Sequence, residues 1–268
     1  DSVTVRGINT SPKKAKIDCR ESGSTLRFLL PIAAALGTSC EFFGKGKLPS
    51  RPLRTYIDCF SDKSVSMQPE SGMPFLLSGK LIPGQFSLSG NISSQFVTGL
   101  LFALPLLEGD SQIRLTTPLE SADYVNMTLE ILHLAGIEII CKENGYDIKG
   151  NQKYHPFTYS VEADYSQAAF FLTAAAVGSQ ISCKGLNPNS LQGDKQILNI
   201  LSQVGAEVTV SGDVVTVSHR QLLPFAVDAK DIPDIVPILS VLAAHCSGES
   251  QIINIERLKY KESDRIQT

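Results

Sequence analysis

The 268-residue sequence contains no tryptophan, and aromatic residues make up only 7% of it. It also lacks an excess of basic residues, because 24 Lys and Arg residues stand against 27 Asp and Glu residues, for a formal net charge of -3. A dedicated nucleic-acid-binding domain usually carries a basic stripe, so the charge balance argues against that class. Small anionic ligands stay possible, since a few positioned cations create a local positive cleft on an acidic protein.

The six cysteines are scattered and form no C-x-x-C pair. This pattern argues against a metal site or a redox motif and predicts reduced thiols in a cytoplasmic protein. The longest apolar run, 26–36, is too short to span a bilayer and contains Pro31. The sequence therefore predicts a cytoplasmic protein that holds no metal and does not span a membrane.

An internal repeat is the strongest structural pattern. Four segments share one plan, and they are 17–44, 88–115, 161–186 and 227–255. Each opens with a short strand, passes through a polar turn into a Leu- and Ala-rich helix, and ends in an alternating strand. The helices at 27–36, 96–107, 167–177 and 235–246 are apolar almost all round, which predicts that they are buried.

Amphipathic helices at 124–135 and 193–204 follow these segments, and each leads into a strand hairpin. A unit of strand, buried helix, strand, exposed helix and hairpin thus recurs about every 70 residues. The polar stretch 151–159 interrupts the pattern and predicts a domain boundary. We expect an α/β protein with domains 1–160 and 161–268, in which apolar helices pack inside and sheets lie outside.

Each apolar helix follows a polar turn, and these turns are 21–24, 91–95, 164–167 and 231–234. Ordinary N-capping explains every one of them. A helix N-terminus also binds anions, because its free N–H groups and its dipole favour negative charge. Ser93, Ser94 and Gln95 exceed what one cap needs, so this turn is the best candidate for an anion site.

Two further segments place cations where an anion would bind. Arg51 precedes Pro52, which predicts a helix start, and an arginine there opposes the helix dipole. It is either an exposed residue or a phosphate ligand. Lys261 and Arg265 are four residues apart, a spacing that puts both on one face of a helix. They lie either in a solvated charged segment or around an anion, with Lys261 or Glu262 available for proton transfer.

Five segments resemble the signature segments of the 5-enolpyruvylshikimate-3-phosphate (EPSP) synthase family, in the same order and with similar spacing. They are Glu-Ser-Gly-Ser-Thr-Leu-Arg at 21–27, Arg-Pro-Leu at 51–53, Ser-Ser-Gln-Phe at 93–96, Ile-Pro-Asp at 232–234 and Lys-Glu-Ser-Asp-Arg at 261–265. No single segment is decisive, but five in register are very specific. The resemblance covers essentially the whole chain.

Enzymes of this family transfer the enolpyruvyl group of phosphoenolpyruvate to the 5-hydroxyl of shikimate 3-phosphate and release phosphate, a step of aromatic amino acid biosynthesis. They need no metal or cofactor. The resemblance implies a monomer of two similar domains, each built from repeated βαβαββ units as an inverse α/β barrel. It also implies that the domains close around two anionic small-molecule substrates.

The resemblance assigns the binding residues by substrate. Those implied for shikimate 3-phosphate are Ser93, Ser94, Ser121 and Tyr124, with Gln95 between the two substrates. Those implied for phosphoenolpyruvate are Gly23, Arg51 and Arg265, with Arg27 in a supporting role. Arg257 is not part of the family pattern, and we expect it to contact a substrate phosphate.

The resemblance also implies three catalytic residues. Asp234 is the implied base for the attacking hydroxyl, and Lys261 the group that faces this hydroxyl. Glu262 is the implied proton donor and acceptor at the methylene carbon. The chemistry agrees, because the reaction needs an acid, a base and cations around a dianion.

Two alternatives stay open. The related UDP-N-acetylglucosamine enolpyruvyl transferase uses a cysteine in a mobile loop, and none of the six cysteines lies in a comparable Gly-rich loop. A non-catalytic repeat scaffold would explain the repeat. It would not explain the convergence of Arg51, Asp234, Lys261, Glu262 and Arg265.

The sequence departs from the family pattern at several places. An early Lys-Ser segment, a late His-Asp-Arg segment and a late lysine have no counterpart, and Arg257 stands where many members have Asn. Loss of one buried charge partner typically costs about 3–5 kcal/mol. We therefore expect the 268 residues alone, incomplete at both ends relative to the family, not to catalyse the reaction.

Overall fold

A computed structural model of the chain describes residues 2–8, 10–261 and 263–267. Its contacts divide the chain into a first unit, Asp1–Leu119 with Ile131–His155, and a second unit, Glu120–Glu130 with Pro156–Thr268. The division differs from the expected boundary at 160, because residues 120–130 group with the second unit. The two domains 1–160 and 161–268 stay a prediction.

The expected repeat occurs twice between residues 14 and 148, and most of the second amphipathic helix, residues 122–130, groups with the second unit. The first copy consists of β1 (Lys14–Asp18), α1 (Gly23–Leu36), β2 (Ser39–Phe43), α2 (Arg54–Cys59), β3 (Val65–Gln68) and β4 (Phe75–Gly79). The second consists of β5 (Gln85–Leu88), α3 (Ser94–Ala103), β6 (Ser111–Leu115), α4 (Ala122–Leu134), β7 (Ile139–Lys142) and β8 (Gly145–Ile148). The sheets have the orders β1-β2-β4-β3 and β5-β6-β8-β7. In both, the first pair of strands is parallel and the others are antiparallel, which confirms the βαβαββ unit.

The second unit contains one hairpin sheet and one parallel pair. Its elements are α5 (Tyr165–Gly178), β9 (Gln180–Lys184), α6 (Ile197–Gln203), β10 (Glu207–Ser211), β11 (Val214–Ser218), β12 (Ala226–Asp228), α7 (Val236–Ala244) and β13 (Gln251–Ile253). The sheet β10-β11-β9 is antiparallel, and β12 pairs with β13 in parallel. The strand expected at 161–162 is not formed. The hydrogen bond from Ala163 N to Gly185 O does not by itself make a strand pair.

The apolar helices form the cores of both units, as expected. In α1 and α3 the side chains of Leu26, Leu30 and Leu100 are fully buried. The expectation is only partly met in α5, where Phe170 and Phe171 are 45% and 60% exposed. In the part of the chain that the structure describes, no helix is long and apolar enough to cross a membrane.

The contact between α1 and α3 depends on a proline inside α1. Pro31 has no N–H, so the carbonyl of Arg27, four residues earlier, loses its helical donor. The Tyr56 hydroxyl replaces it at 2.8 Å and lies 3.0 Å from the Phe96 carbonyl oxygen in α3. Gly99 permits this approach, because an added Cβ would lie 2.2 Å from the Arg27 oxygen.

Three expectations about local structure were wrong. The helix after Pro52 begins at Arg54, and Arg51 is extended, because the residue before a proline is pushed out of the helical region. The helix expected over 96–107 ends at Ala103, where Pro105 continues the chain as a short 3₁₀ turn. Lys261 has an extended backbone, so Lys261 and Arg265 do not share a helical face.

We expect Gly99→Ala to lower the free energy of unfolding by about 1–3 kcal/mol, because the added methyl group would overlap a backbone oxygen that cannot move away freely. Urea unfolding followed by circular dichroism measures the change. Gly178→Ala is the matched control, since nothing lies within 4 Å of an added Cβ there, and it should be neutral or stabilising. Equal effects of the two substitutions would contradict the close approach of α1 and α3.

Candidate active site

Asp234 is the centre of a polar cluster in the second unit. Its Oδ1 accepts hydrogen bonds from Lys261 Nζ at 3.1 Å and from Arg265 Nη1 at 3.2 Å. Its Oδ2 accepts a hydrogen bond from the Tyr124 hydroxyl at 2.9 Å. One carboxylate thus joins α4, the turn before α7 and the segment after the last 3₁₀ turn, Glu256–Tyr260.

A loop wrapped around one buried residue brings the two cations together. Leu258 is 1% exposed, and its carbonyl oxygen accepts the backbone N–H groups of Lys261 and Arg265 at 3.5 and 3.3 Å. The sequence left open whether the two cations lie in a solvated segment or around an anion, and in the structure both donate to one carboxylate oxygen of Asp234. They reach it through this loop and not through a helix.

The charges of the cluster shift two titrations in opposite directions. Burial by itself would raise the pKa of Asp234, but the charges of Lys261 and Arg265 and the hydrogen bonds from Lys261 and Tyr124 hold it below its ordinary value. Burial raises the pKa of the Tyr124 phenol, and the negative charges of Asp194 and Asp234 raise it further. The Tyr124 phenol therefore stays protonated and donates the hydrogen bond, and the Asp234 carboxylate stays charged and accepts it.

Ser121 and Arg257 form a second polar group in the same unit. Ser121 is 1% exposed and has a left-handed backbone with φ 54°. Asp231 Oδ1 accepts its N–H at 2.7 Å, and Arg257 Nη1 donates to its Oγ at 3.2 Å. The same Arg257 nitrogen donates to Glu120 Oε2 at 2.9 Å. Sequence reasoning missed Glu120, which neutralises the cation beside Ser121.

In the first unit, Gln95 joins α3 to α1. Its Oε1 accepts from Arg27 Nη1 at 2.8 Å, and its Nε2 donates to Ser24 Oγ at 2.9 Å. Ser93 is the N-cap of α3 and accepts the Gln95 N–H at 3.4 Å, while Ser94 is 5% exposed. Gln95 is thus a structural link as well as a candidate ligand.

Two guanidinium groups converge on Gly23 at the N-terminus of α1. A Cβ added there would lie 2.7 Å from Arg27 Nη1 and 2.8 Å from Arg51 Nη1. Ser22 caps this helix by accepting the Thr25 N–H. Two cations beside a helix N-terminus make this point of the first unit favourable for an anion.

Some expectations about the site stay open. Glu262 lies outside the described residues. Ser93 and Ser94 belong to the first unit and Ser121 to the second, and the binding of shikimate 3-phosphate by these three serines stays a prediction. Among the described residues, no group of His, Cys, Asp and Glu side chains is arranged to hold a metal ion.

Asp194 was missed by the sequence reasoning. It is 3% exposed, and burial raises its pKa to about 6. A signal was present, because Asp194 falls three residues before Ile197 and seven before Leu201, on the apolar face of the helix expected at 193–204. A carboxylate on the buried face of an amphipathic helix needs an explanation.

We expect Asp234→Asn to lower the free energy of unfolding at pH 7 by about 2–3 kcal/mol, because Lys261 and Arg265 lose their shared anion while half-buried. The pKa of Asp234 is lower in the folded protein than in the unfolded chain, so its charge stabilises the fold. This stabilisation is complete above about pH 4 and is lost as the pH falls through the folded-state pKa. The difference in the free energy of unfolding between the wild type and Asp234→Asn should therefore become smaller as the pH is lowered. Urea unfolding at pH 7 and pH 3 measures it, with the exposed hairpin residue in Asp213→Asn as the control. A loss that is equal at both pH values would show that the charge of Asp234 is not what stabilises the cluster.

Comparison with known sequences gives one consistent family. The sequence profile of EPSP synthase (3-phosphoshikimate 1-carboxyvinyltransferase) matches residues 1–268. Curated proteins named 3-phosphoshikimate 1-carboxyvinyltransferase from Clostridium kluyveri and Clostridium acetobutylicum are 43% and 48% identical to the chain. The alignments cover 99% and 96% of this chain but 63% and 60% of those proteins. The chain thus spans about 60% of the length of the curated relatives it matches.

Solved structures give the same fold. EPSP synthase from Acinetobacter baumannii superimposes with a TM-score of 0.75 at 23% identity, over 96% of this chain and 60% of that one. The enolpyruvyl transferase NikO from Streptomyces tendae superimposes with a TM-score of 0.66 at 18% identity, over 85% of this chain and 55% of that one. The fold is therefore the two-domain α/β fold expected from the repeat. With the profile match over the whole chain, these findings show that the chain belongs to the EPSP synthase family.

Proposed function

We propose that the protein transfers the enolpyruvyl group of phosphoenolpyruvate to the 5-hydroxyl of shikimate 3-phosphate and releases inorganic phosphate. The observation that carries the proposal is the meeting of Lys261 and Arg265 on the carboxylate of Asp234. The reaction needs a base beside cations that can hold anionic substrates, and these three side chains supply both. Family membership supports the choice of substrates.

Asp234 is proposed as the base, although its pKa is below the ordinary value. The cause of the low pKa is the same pair of cations that would bind substrate anions. A phosphate or carboxylate that attracts Lys261 and Arg265 weakens their hold on Asp234, which raises its pKa toward the value of a useful base. Anion binding would in this way activate the proton acceptor at the moment when it is needed.

The other residues of the second unit are proposed to bind shikimate 3-phosphate. Tyr124 already fixes one oxygen of Asp234 and would orient it toward the substrate ring. Ser121 and Arg257 would contact a phosphate, which must compete with Glu120 for the guanidinium of Arg257. A dianion competes well with one carboxylate, because it carries more charge and more acceptor oxygens.

In the first unit, the proposed anion ligands are the side chains around two helix starts. Gly23, Arg27 and Arg51 would bind phosphoenolpyruvate, since the absence of a Cβ at Gly23 leaves room for the guanidinium groups. Ser93, Ser94 and Gln95 at the start of α3 would bind shikimate 3-phosphate. These assignments follow the family resemblance, and the geometry of each helix start supports them.

Protons and charge would be handled by side chains alone, so the proposal includes no metal or cofactor. Glu262 is proposed to donate a proton to the methylene carbon of phosphoenolpyruvate and to take a proton back from that carbon when phosphate leaves. We also propose that the protein acts as a cytoplasmic monomer, in keeping with the family resemblance. Its partners would then be the two anionic substrates only.

The test is phosphate release by the protein as its gene encodes it, with phosphoenolpyruvate and shikimate 3-phosphate. We expect release with this acceptor and none with UDP-N-acetylglucosamine. Glu262→Gln should lower kcat by 100-fold or more, on the order expected for loss of general acid–base catalysis, and leave KM nearly unchanged. Glu249→Gln, at an exposed position, is the matched control.

Two outcomes would overturn the proposal. Release with UDP-N-acetylglucosamine in place of shikimate 3-phosphate would assign the protein to the other branch of the enolpyruvyl transferases. Binding of neither substrate, by a protein that is folded, would favour a non-catalytic scaffold. Near-normal turnover of Glu262→Gln would remove Glu262 from the mechanism without changing the substrates.

A further inference from the structure

Asp194 is a buried carboxylate that the proposed mechanism does not use. It lies in the 3₁₀ turn Gly193–Gln196 and is 3% exposed. Gly193 lets this turn approach α4 closely, because a Cβ there would lie 2.7 Å from Asp123 Oδ2. The turn thus places the Asp194 carboxylate inside the second unit, where its charge interacts with those of Asp234 and Lys261.

The carboxylate of Asp194 is only partly satisfied. Its Oδ2 accepts one hydrogen bond, from Ser166 Oγ at 2.5 Å. Its Oδ1 is buried and has no hydrogen-bond partner among the described residues. A buried carboxylate oxygen without a donor destabilises the charged form and hence the folded protein. A purely structural role therefore does not account for an aspartate at this position.

Charged and titratable groups surround Asp194 on the elements packed against it. They are Tyr124 on α4, Asp123 beside Gly193, Asp164 before α5, Asp234 before α7 and Lys261 after the last 3₁₀ turn. Burial raises the pKa of Asp194 to about 6, and the charges of Asp234 and Asp164 act in the same direction. Lys261 and the Ser166 hydrogen bond oppose this shift.

We propose that Asp194 is a positioning residue of the Asp234 site, which takes up one proton from solvent when an anionic substrate draws Lys261 and Arg265 away from Asp234. The inference rests on the proposed function, in which Asp234 must stay charged to accept the proton of the substrate hydroxyl. When the cations turn to the substrate, two carboxylates and the new anion repel one another. Asp194 Oδ1 has no hydrogen-bond donor, whereas Asp234 Oδ2 keeps the hydrogen bond from Tyr124, so the proton binds to Asp194 Oδ1 and leaves Asp234 free as the base.

The first test needs no ligand and uses the 268-residue chain. The carboxyl carbon of Asp194, followed by NMR with ¹³C-labelled aspartate, should titrate near pH 6. Asp194→Asn should be as stable as the wild type near pH 4 and more stable above pH 6, because it removes a charge that the folded protein buries. A titration near pH 4 for Asp194, or a variant that is less stable above pH 6, would overturn the proposal.

The second test measures protons taken up on binding. Titration calorimetry of the protein as its gene encodes it, with shikimate 3-phosphate or phosphoenolpyruvate added one at a time at pH 6.5 in two buffers with different ionisation heats, should show uptake of more than about half a proton per chain. The uptake should disappear in Asp194→Asn. It should persist in Asp213→Asn, the matched control, because Asp213 is exposed in the turn between β10 and β11.

The outcomes separate this inference from the proposed function. Equal binding heats in both buffers, with normal affinity, would overturn the role of Asp194 and leave the function intact. Proton uptake that persists in Asp194→Asn would show that another group binds the proton, and this too would overturn the role of Asp194. Absence of binding by either anion would overturn the proposed function, and the role of Asp194 with it.

Discussion

The second unit depends on one shared acceptor, the carboxylate of Asp234. Tyr124, Lys261 and Arg265 come from separate elements, and each donates to this one side chain. Removing it would leave two cations half-buried and close together without their common anion. The same arrangement makes the site responsive, because any anion that competes for the cations changes the charge balance at Asp234. Structure and proposed chemistry thus rest on the same hydrogen bonds.

Arg27 has a comparable double role in the first unit. Its carbonyl, freed by Pro31, accepts the Tyr56 hydroxyl that joins α1 to α3. Its side chain is 2% exposed, donates to Gln95 and lies over the ring of Phe96 at 4.9 Å. The packing of the two buried helices therefore fixes the direction of the guanidinium beside Gly23. A substitution in the core at this point would therefore shift the Arg27 guanidinium at the start of α1, where the anion is proposed to bind.

The repeat and its sheets could be predicted from the sequence, because apolar periodicity and glycine-ended helices are local patterns. The errors arose where contacts between distant residues, or a single proline, determine the local backbone conformation or the burial of a side chain. Arg51, which precedes Pro52, has an extended backbone, and α2 begins only at Arg54. The carbonyl of Leu258, and not helical spacing, brings Lys261 and Arg265 together. The burial of Asp194 follows from the approach of its turn to α4, which the chain order does not reveal.

The central claim is that Asp234 and Lys261 stabilise the second unit as a coupled pair. A double-mutant cycle of Asp234→Asn and Lys261→Met, measured by urea unfolding at pH 7, tests it most directly. The account predicts a coupling energy between about 0.5 and 3 kcal/mol that falls as the pH is lowered below the titration of Asp234. Two substitutions whose effects simply add would contradict the claim, since each side chain would then stabilise the protein without the other.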